Sequence, residues 1–355
     1  MRLVFDRQDH LDRAATPLSR AGIYRILVCR TVHTLGDSLT LTPLLQELAD
    51  VFPGAEVDIV NGSPVAHEIY GGFPNIGEII QLPARIVRHP LPAWRALRRM
   101  RARHYDLAID PDPESQSGRL LVLLANKTWS LGFLGRKKSG KLTHGVSVPA
   151  LPRHKGTLPV YLLRCAIDGG RTRCEYPLLT IQPTAIELRQ GREIVTRLTA
   201  TDAGNRSQVR RIGIFANATG DKNLGEDWWR RFLDEFSPRA PDCDLIEILP
   251  AFGRSLLGSR YPAYFSGNVR RMSGVIANLS LHVSADCGVM HLASASGTPT
   301  IGIFTVTDAS EWGPYGDSNH VIDAHELTPE QVAARVLDIL ESIPVTARAL
   351  AGASR

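Results

Sequence analysis

Apolar runs and helical segments alternate through the first part of the chain. Each apolar run is hydrophobic along almost its whole length. Such strands, each followed by a helix, indicate a parallel sheet that is covered on both faces. The predicted strands are 23–29, 56–60, 77–82 and 105–110, and the predicted helices are 37–52, 64–70 and 92–103.

The pattern loosens between residues 127 and 160, where glycine, proline and basic residues are frequent. A helical segment at 158–167 then leads to the Gly169-Gly170 break, where we expect the first domain to end. A second alternation follows and predicts a second doubly wound sheet. Its predicted strands are 209–216, 244–250, 279–285 and 298–304, and its predicted helices are 184–199, 226–236, 268–278 and a segment after Gly288.

We therefore predict an α/β protein with two doubly wound, Rossmann-like domains that face each other across a cleft. The length of 355 residues also favours two domains over one. The expected divisions are a leader at 1–22, domains at 23–175 and 176–328, and a C-terminal helix and tail at 329–355. Ligands of such sheets bind at the carboxyl ends of the strands, so the loops after the strands are the places to look for chemistry.

Composition narrows the class of protein. With 43% hydrophobic and 22% charged residues, the chain is close to the globular average, which argues against disorder and a membrane-embedded body. The net charge of +5 favours anionic partners such as nucleotides, phosphates or acidic lipid headgroups. Aromatic residues make up only 6% of the chain, so a nucleic-acid-binding surface is not indicated.

Five cysteines are spread along the chain without a CxxC pair, which predicts neither a disulfide framework nor a zinc site. Charged residues occur throughout the N-terminal leader, where a signal peptide would have an apolar stretch. No apolar run reaches the length of a membrane span. These features predict a cytoplasmic protein.

The segment after the first strand contains a candidate general base. Gly36 permits a close approach of the backbone, and the Asp37 carboxylate at the mouth of the cleft can accept a proton from a substrate hydroxyl. Aspartate is also a favoured N-cap, and Asp37 stands near the predicted start of a helix, so the local sequence alone favours a cap. Arg30, at the end of the same strand, is a further candidate on this side.

The loop at 215–222 follows the first strand of the second half and has the composition of an anion site. Asn217 and Thr219 supply small polar side chains beside a glycine, and Lys222 supplies a positive charge. An ordinary polar loop explains the same residues equally well.

The segment Ser284–His291 runs from a strand through a glycine turn into a helix. The free amides of that helix can face a phosphate, while Asp286 and His291 point towards a ligand. Cys287 and His291 also have the spacing of a helical metal pair, but two further ligands are not evident nearby. The alternative for His291 is a buried core histidine, since its neighbours in the sequence are apolar.

Three other motifs have ordinary explanations. Asp110-Pro-Asp112 imitates the Asp-x-Asp of metal-dependent sugar transferases, but it ends a parallel strand, where the carboxylates can cap a helix or contact an acceptor. The segment 135–141 has phosphate-loop spacing, yet Leu142 replaces the required Ser or Thr. Seven arginines within 85–103 are typical of a solvated helix face; the alternative is contact with anionic lipid headgroups or a phosphorylated acceptor.

Three segments, taken in order, resemble the bacterial heptosyltransferase-like glycosyltransferases, which are inverting enzymes of the GT-B fold and include the lipopolysaccharide core heptosyltransferases. The resemblance runs from about Arg25 to Asp323, and the last segment is the most specific. The segments are ILVCRTVHTLGDSLTLTPLLQEL, FANATGDKNLGEDWW and SADCGVMHLASASGTPTIGIFTVTDASEWGPYG.

The resemblance implies a role for each half. The second domain would bind a nucleotide-sugar donor and the first domain an acceptor. Asp37 matches the catalytic base of the family. The resemblance therefore favours the role of base over that of helix N-cap for Asp37. Lys222 matches the lysine that meets the donor diphosphate, and Asp286, Gly288 and His291 match the Asp-x-Gly-x-x-His donor motif. Asn217, Thr219 and Cys287 complete the predicted donor side, and Gly36, Arg30, Asp110 and Asp112 are the candidates on the acceptor side.

We accordingly predict an inverting, metal-independent glycosyltransferase of GT-B architecture. It would move a sugar, with heptose as one candidate, from a nucleoside diphosphate to a cell-envelope glycan or lipopolysaccharide-type acceptor. No cofactor is expected beyond the nucleotide-sugar co-substrate, and no nucleic acid. Peripheral contact with the cytoplasmic face of the inner membrane is an additional expectation, which follows from the arginine-rich segment.

Departures from the family leave the donor open. Cys287 stands where Thr or Ser is usual, and Asn223-Leu224-Gly225 replaces a common Trp-Pro. The loop 250–253 lacks the acidic residue expected to bind a nucleoside ribose. Two alternatives therefore remain: a nucleotide-sugar epimerase of the same architecture, or an inactive nucleotide- or glycan-binding protein.

Overall fold

The structure is a computed structural model that describes residues 17–83, 88–135, 138–169, 175–199, 209–250 and 253–343. The chain divides into two compact units, Met1–Gln182 and Pro183–Arg355. Each unit contains one six-stranded sheet. Most of the predicted leader and the tail beyond residue 343 lie outside the described residues.

The first unit alternates strands with helices, as predicted. Its strands are β1 (Arg25–Arg30), β2 (Glu56–Asn61), β3 (Ile76–Gln81), β4 (Tyr105–Asp110), β5 (Lys127–Leu134) and β6 (His144–Ser147). Its helices are α1 (Leu35–Leu39), α2 (Thr42–Val51), α3 (Ala66–Tyr70), α4 (Pro90–Ala102), α5 (Gln116–Leu124) and α6 (Leu158–Asp168).

The second unit repeats this plan. Its strands are β7 (Arg210–Phe215), β8 (Cys243–Ile248), β9 (Ala263–Tyr264), β10 (Leu281–Ala285), β11 (Thr300–Phe304) and β12 (His320–Asp323). Its helices are α7 (Ala185–Thr199), α8 (Gly225–Arg239), α9 (Val269–Ile276), α10 (Gly288–Ala295), α11 (Ala309–Trp312) and α12 (Pro329–Ser342), with a short 3-10 helix at Gly220–Lys222.

The two sheets have the same topology. Their strand orders are β3-β2-β1-β4-β5-β6 and β12-β11-β10-β7-β8-β9, and every neighbouring pair is parallel. Counted from its own first strand, each sheet has the doubly wound order 3-2-1-4-5-6. The order therefore reverses between β1 and β4 in one unit and between β7 and β10 in the other. These two places are the switch points.

The predicted strands and helices are confirmed within a few residues, with two corrections. The single helix predicted at 37–52 is two helices, α1 and α2, because Pro43 lies in the first turn of α2, where a missing amide costs nothing. The loose segment at 127–160 contains the parallel strands β5 and β6. Their pattern is weak because β6 is an edge strand and the first residues of β5 are largely exposed.

An aromatic cluster fixes the loop that follows β7. Trp229 of α8 is fully buried, and its indole nitrogen donates a hydrogen bond of 3.0 Å to the carbonyl of Ala216. The ring contacts Phe232 edge-on at 5.4 Å, and Phe232 stacks on Phe236. The backbone just before the predicted anion loop is thereby attached to the core of the second unit. No helix within the described ranges is long and apolar enough to cross a membrane.

A buried histidine lies in the central strand of the second sheet. His282 is fully buried in β10, and neither ring nitrogen has a hydrogen-bond partner among the described residues. Burial lowers the pKa of His282 from 6.5 to about 3. The folded protein therefore keeps the ring neutral at a pH where the unfolded chain protonates it.

This histidine predicts a loss of stability in mild acid. Below pH 6.5 the unfolded state takes up a proton that folded His282 refuses, so the free energy of unfolding falls as pH decreases. Between pH 7 and pH 5 the loss is about 2 kcal/mol. Urea unfolding at the two pH values should show that the free energy of unfolding falls by this amount more in the wild type than in His282→Leu. The exposed-site variant His89→Gln should behave as the wild type, and equal losses in all three proteins would contradict the prediction.

Candidate functional site

Most of the residues predicted from the sequence lie after the strands that flank the two switch points. Arg30 and Asp112 come at or just after the ends of β1 and β4, and Asp286 comes just after β10. Crossover connections leave a switch point in opposite directions, which opens a crevice at the carboxyl ends of the strands. Each unit therefore has its own candidate cluster, and the two are described separately.

In the first unit, Asp37 is the third residue of the short helix α1. The N-cap is Thr34, whose hydroxyl accepts a hydrogen bond from the Asp37 amide and donates one of 2.6 Å to Asp37 Oδ2. The expectation that Asp37 is itself the cap is therefore wrong, because Thr34 has the extended backbone and the side-chain bond of an N-cap. About a quarter of the Asp37 side chain is exposed. Gly36, beside it, is buried in α1.

Arg30 supplies a positive charge beside this carboxylate. Its guanidinium is buried, donates from Nη2 to Thr40 Oγ1 at 3.1 Å, and lies 3.9 Å from Asp37 Oδ1. Arg30 Nε has no hydrogen-bond partner among the described residues. One oxygen of Asp37 is thus bound by the Thr34 hydroxyl and the other faces the Arg30 guanidinium, so the carboxylate of the candidate base is held in position.

Asp112 lies close enough to Arg30 for the two to interact. Its Oδ1 accepts hydrogen bonds from the amides of Glu114 and Ser115 at 2.7 and 2.9 Å, in the turn before α5. Burial favours the neutral acid, but these amides and the charges of Arg30 and Lys138 outweigh it, so the pKa of Asp112 is below its usual value. Asp112 therefore carries a negative charge at this switch point.

Asp110 has a different environment from Asp112. It is fully buried, and its Oδ2 is bound by Arg119 Nε at 3.1 Å and by Lys138 Nζ at 2.8 Å. Burial raises the pKa of Asp110, although both cations oppose this. Lys138 belongs to the segment with phosphate-loop spacing, of which residues 136–137 lie outside the described residues. The Asp110 carboxylate therefore holds the end of β4, helix α5 and Lys138 together. A carboxylate buried in this way is poorly placed to contact an acceptor.

In the second unit the structure brings Lys222 and Asp286 together. Lys222 Nζ lies 2.8 Å from Asp286 Oδ2, and the hydroxyl of Thr307 donates to the same oxygen. The Asp286 side chain is almost fully buried, whereas about a third of the Lys222 side chain is exposed. The ends of β7, β10 and β11 thus meet in one charged cluster.

The loop after β7 supplies further donors. Asn217 is buried, and its Nδ2 has no hydrogen-bond partner among the described residues. Thr219 is exposed at the N-cap of the 3-10 helix, and its hydroxyl makes no cap hydrogen bond. Gly220 has φ +61°, a left-handed conformation that glycine adopts without strain. These groups can donate to an anion that approaches Lys222.

The N-terminus of α10 lies directly after Asp286. Cys287 is the N-cap, Gly288 is the first helical residue, and the thiol of Cys287 lies 3.3 Å from Ser284 Oγ. Burial raises the pKa of the Cys287 thiol, despite the nearby hydroxyl of Ser284 and amides of Val289 and Met290. The thiol is therefore neutral, and it does not add negative charge to an anion-binding helix end.

His291 is nearly fully buried one turn into α10. Its ring faces the ring of Trp312 edge-on, with centroids 6.3 Å apart. The expected alternative of a buried core histidine describes this position well, and the contact joins α10 to α11. No group of three or more His, Cys, Asp or Glu side chains with the arrangement of a metal site occurs in the described part of the chain.

Sequence reasoning missed four residues of these clusters: Thr34, Arg119, Thr307 and Trp312. Thr307 and Trp312 lie in the loop and helix after β11, inside the most specific of the resembling segments, but nothing in their spacing linked them to Asp286 or His291. Arg119 lies on α5, which the sequence did not predict. The signal available for Thr307 was a hydroxyl side chain in the loop that follows β11, the strand beside β10.

Comparisons with known proteins point to one family of enzymes. Residues 268–339 match the model of glycosyltransferase family 9 (heptosyltransferase). Lipopolysaccharide heptosyltransferase 1 of Pseudomonas aeruginosa is 27% identical over 318 residues, which cover 83% of this chain and 82% of that protein. Over most of its length the chain is similar to a heptosyltransferase. The resemblance predicted from the sequence is therefore confirmed, and with it the class of enzyme, glycosyltransferase.

Solved heptosyltransferases and their relatives share the fold. A glycosyl transferase family 9 structure from Veillonella parvula DSM 2008 has a TM-score of 0.71 at 15% identity, covering 92% of this chain and 99% of its own. The E. coli heptosyltransferase WaaC with ADP has a TM-score of 0.66 at 19% identity, covering 90% and 100%. The predicted GT-B fold, with two doubly wound units, is confirmed.

The environment of Asp110 predicts that its carboxylate has a structural role in the first unit. Asp110→Asn would leave Arg119 and Lys138 buried without a counter-charge, which should lower the free energy of unfolding by about 3 kcal/mol. Asp112→Asn is the matched control, since an amide oxygen can still accept the hydrogen bonds from Glu114 and Ser115. Its free energy of unfolding should fall by about 1 kcal/mol. Urea unfolding measures both. Equal stability of Asp110→Asn and the wild type would refute the structural role.

Proposed function

We propose that the protein is an inverting glycosyltransferase that moves a sugar from a nucleoside diphosphate to a hydroxyl of a glycan acceptor without a metal ion. The cluster of the second unit binds the donor diphosphate, and Asp37 of the first unit deprotonates the acceptor. The observation that carries this proposal is the meeting of Lys222 with Asp286 and Thr307 at a switch point. The N-terminus of α10 follows Asp286 directly, and the side-chain nitrogen of Asn217 has no hydrogen-bond partner among the described residues.

The reaction is a single displacement. The acceptor hydroxyl gives its proton to the Asp37 carboxylate while its oxygen forms a bond to the anomeric carbon of the sugar. The bond from that carbon to the diphosphate oxygen breaks, and its electron pair leaves with the nucleoside diphosphate. Attack from the face opposite the leaving group inverts the anomeric configuration. Thr34 and Arg30 hold the carboxylate in position for the first of these events.

The leaving diphosphate needs positive charge, which Lys222 supplies. In the free protein Lys222 is paired with Asp286, and a diphosphate that approaches the α10 N-terminus offers it a second anionic partner. The amides at the start of α10 and the donors of Asn217 and Thr219 add hydrogen bonds. Charge that develops on the leaving group is thus stabilised by groups already in place.

For the donor we propose an adenosine diphosphate sugar, with a heptose as the first candidate, and for the acceptor a lipopolysaccharide-type glycan. The support is the similarity to lipopolysaccharide heptosyltransferase 1 and to WaaC, which was solved with ADP. The sequence differs from the pattern of the family at Cys287, at Asn223 and in the loop around Gly253. The identity of the donor sugar is therefore the least constrained part of the proposal. A cytoplasmic location stays a prediction.

Asp37→Asn tests the base. The amide cannot take the acceptor proton, so kcat should fall by roughly 100-fold to 10,000-fold, while the Kd for ADP should change by less than about twofold. Turnover is measured with ADP-heptose and a lipopolysaccharide core acceptor, and ADP binding by calorimetry. The control is Asp50→Asn, an exposed aspartate on α2, which should retain full turnover. Normal turnover of Asp37→Asn would exclude this role, and donor consumption without an acceptor would exclude glycosyl transfer.

Lys222→Met tests the diphosphate site. Removal of a charge-assisted contact should weaken ADP binding by roughly tenfold to a hundredfold, and adenosine binding should hardly change because adenosine has no phosphate. Lys141→Met, an exposed lysine of the first unit, is the control and should bind ADP as the wild type does. If ADP and adenosine lost affinity equally, the lysine would not act on phosphate. Turnover that persists in excess EDTA is the expected result for metal independence.

A further inference from the structure

Helix α4 presents an unusual outer surface. Its inner face packs Ala96, Leu97 and Met100 against the core of the first unit. On its outer face Leu91 and Trp94 are 67% and 55% exposed. A large apolar side chain in water is ordinary when it stands alone, but two within one helical turn form a small apolar patch.

The same face is strongly basic. α4 contains four arginines and no acidic residue. Arg99 pairs with Glu78 at 3.0 Å, whereas Arg95, Arg98 and Arg101 are exposed and form no ion pair with any described residue. The acidic side chains nearest the helix are already committed, since Glu78 and Asp58 also bind Arg103. The positive charge of this face is therefore not balanced by acidic side chains in the described part of the chain.

The exposed apolar and basic groups share one stripe of the helix. Positions 91, 94, 95, 98 and 101 are three or four residues apart and lie on one side, opposite the buried positions 96 and 100. At 1.5 Å per residue the stripe is about 15 Å long. We call these five residues the α4 face. Within it, the Arg98 guanidinium lies 5.5 Å from the centre of the Trp94 ring.

This combination fits the surface of an anionic bilayer. Arginines bind lipid phosphates, and their aliphatic stems pack on apolar groups while the charged ends stay in water. A tryptophan ring, apolar with one polar edge, is most favourable at the level of the headgroups, and Leu91 can enter the acyl boundary beside it. A nucleic acid would use the arginines but offers no apolar environment for Leu91.

We propose that the α4 face is a docking surface for a membrane with anionic lipid headgroups. The helix lies flat on the bilayer, with Arg95, Arg98 and Arg101 on phosphates and Trp94 and Leu91 at the interface. This surface is separate from the residues assigned to glycosyl transfer, so either assignment can fail without the other. It would keep the enzyme at a surface where a lipid-linked acceptor is concentrated.

Co-sedimentation of the full chain with vesicles tests the proposal. Vesicles of phosphatidylcholine alone are compared with vesicles in which about a third of the lipid is phosphatidylglycerol. The wild type should bind the anionic vesicles and not the neutral ones. The double variant Arg95→Gln/Arg98→Gln should bind them about thirtyfold more weakly, since each arginine near an anionic surface accounts for about fivefold.

A matched double variant separates local docking from net charge. Arg189→Gln/Arg197→Gln removes the same charge from exposed positions of α7 and should bind vesicles as the wild type does. Brominated lipid should quench tryptophan fluorescence in the wild type and much less in Trp94→Phe. Circular dichroism confirms that each variant is folded.

Three outcomes would overturn the proposal. They are equal loss of binding in the two double variants, equal binding of the wild type to neutral and anionic vesicles, and binding to a soluble nucleic acid in place of vesicles. The first would indicate a net-charge effect, and the last would identify the α4 face as a polyanion site of another kind.

Discussion

The position of the candidate site follows from one constraint, the pairing of parallel strands. A parallel strand returns to its sheet only through a crossover, and crossovers that leave on opposite faces create a place where the strand order reverses. In this chain that place is beside β1 in one unit and beside β7 in the other. The strand ends there cannot be covered by their own connections, so polar residues at those ends stay available to ligands.

The proposed function assigns opposite chemistry to the same position of the two units. At the first switch point, the carboxylates of Asp37 and Asp112 lie near the buried guanidinium of Arg30. At the second, Lys222 and a helix N-terminus provide positive potential, and Asp286 neutralises the lysine in the free protein. Under the proposed function, one topology supports a base in one unit and an anion site in the other, because the loop sequences differ while the strand order is the same.

Much of this was predictable from the sequence, for identifiable reasons. Central strands such as β1 and β10 are buried on both faces and therefore read as continuous apolar runs. The edge strands β6 and β9 have a neighbour on one side only and little apolar sequence, so the pattern did not reveal them. Asp37 and Lys222 were candidates from their places in loops after strands, and the family resemblance then assigned their roles.

Contacts that join distant segments could not be predicted. Lys138 reaches Asp110 across 28 positions and Thr307 reaches Asp286 across 21, and no local periodicity encodes either contact. The role of Thr34 as N-cap of α1 could have been predicted, since threonine three residues before a carboxylate is a capping signature. Because Asp37 was itself considered as the N-cap, Thr34 was overlooked. The structure shows that Thr34 both caps the helix and holds the candidate base.

The most direct test of the account is the anomeric configuration of the product. Nuclear magnetic resonance of the disaccharide linkage formed from an ADP-sugar of known configuration reports it in one measurement. A single displacement with Asp37 as base and the diphosphate held by Lys222 predicts a linkage of inverted configuration, formed only when acceptor is present. A retained configuration, or conversion of the donor sugar without acceptor, would contradict the account.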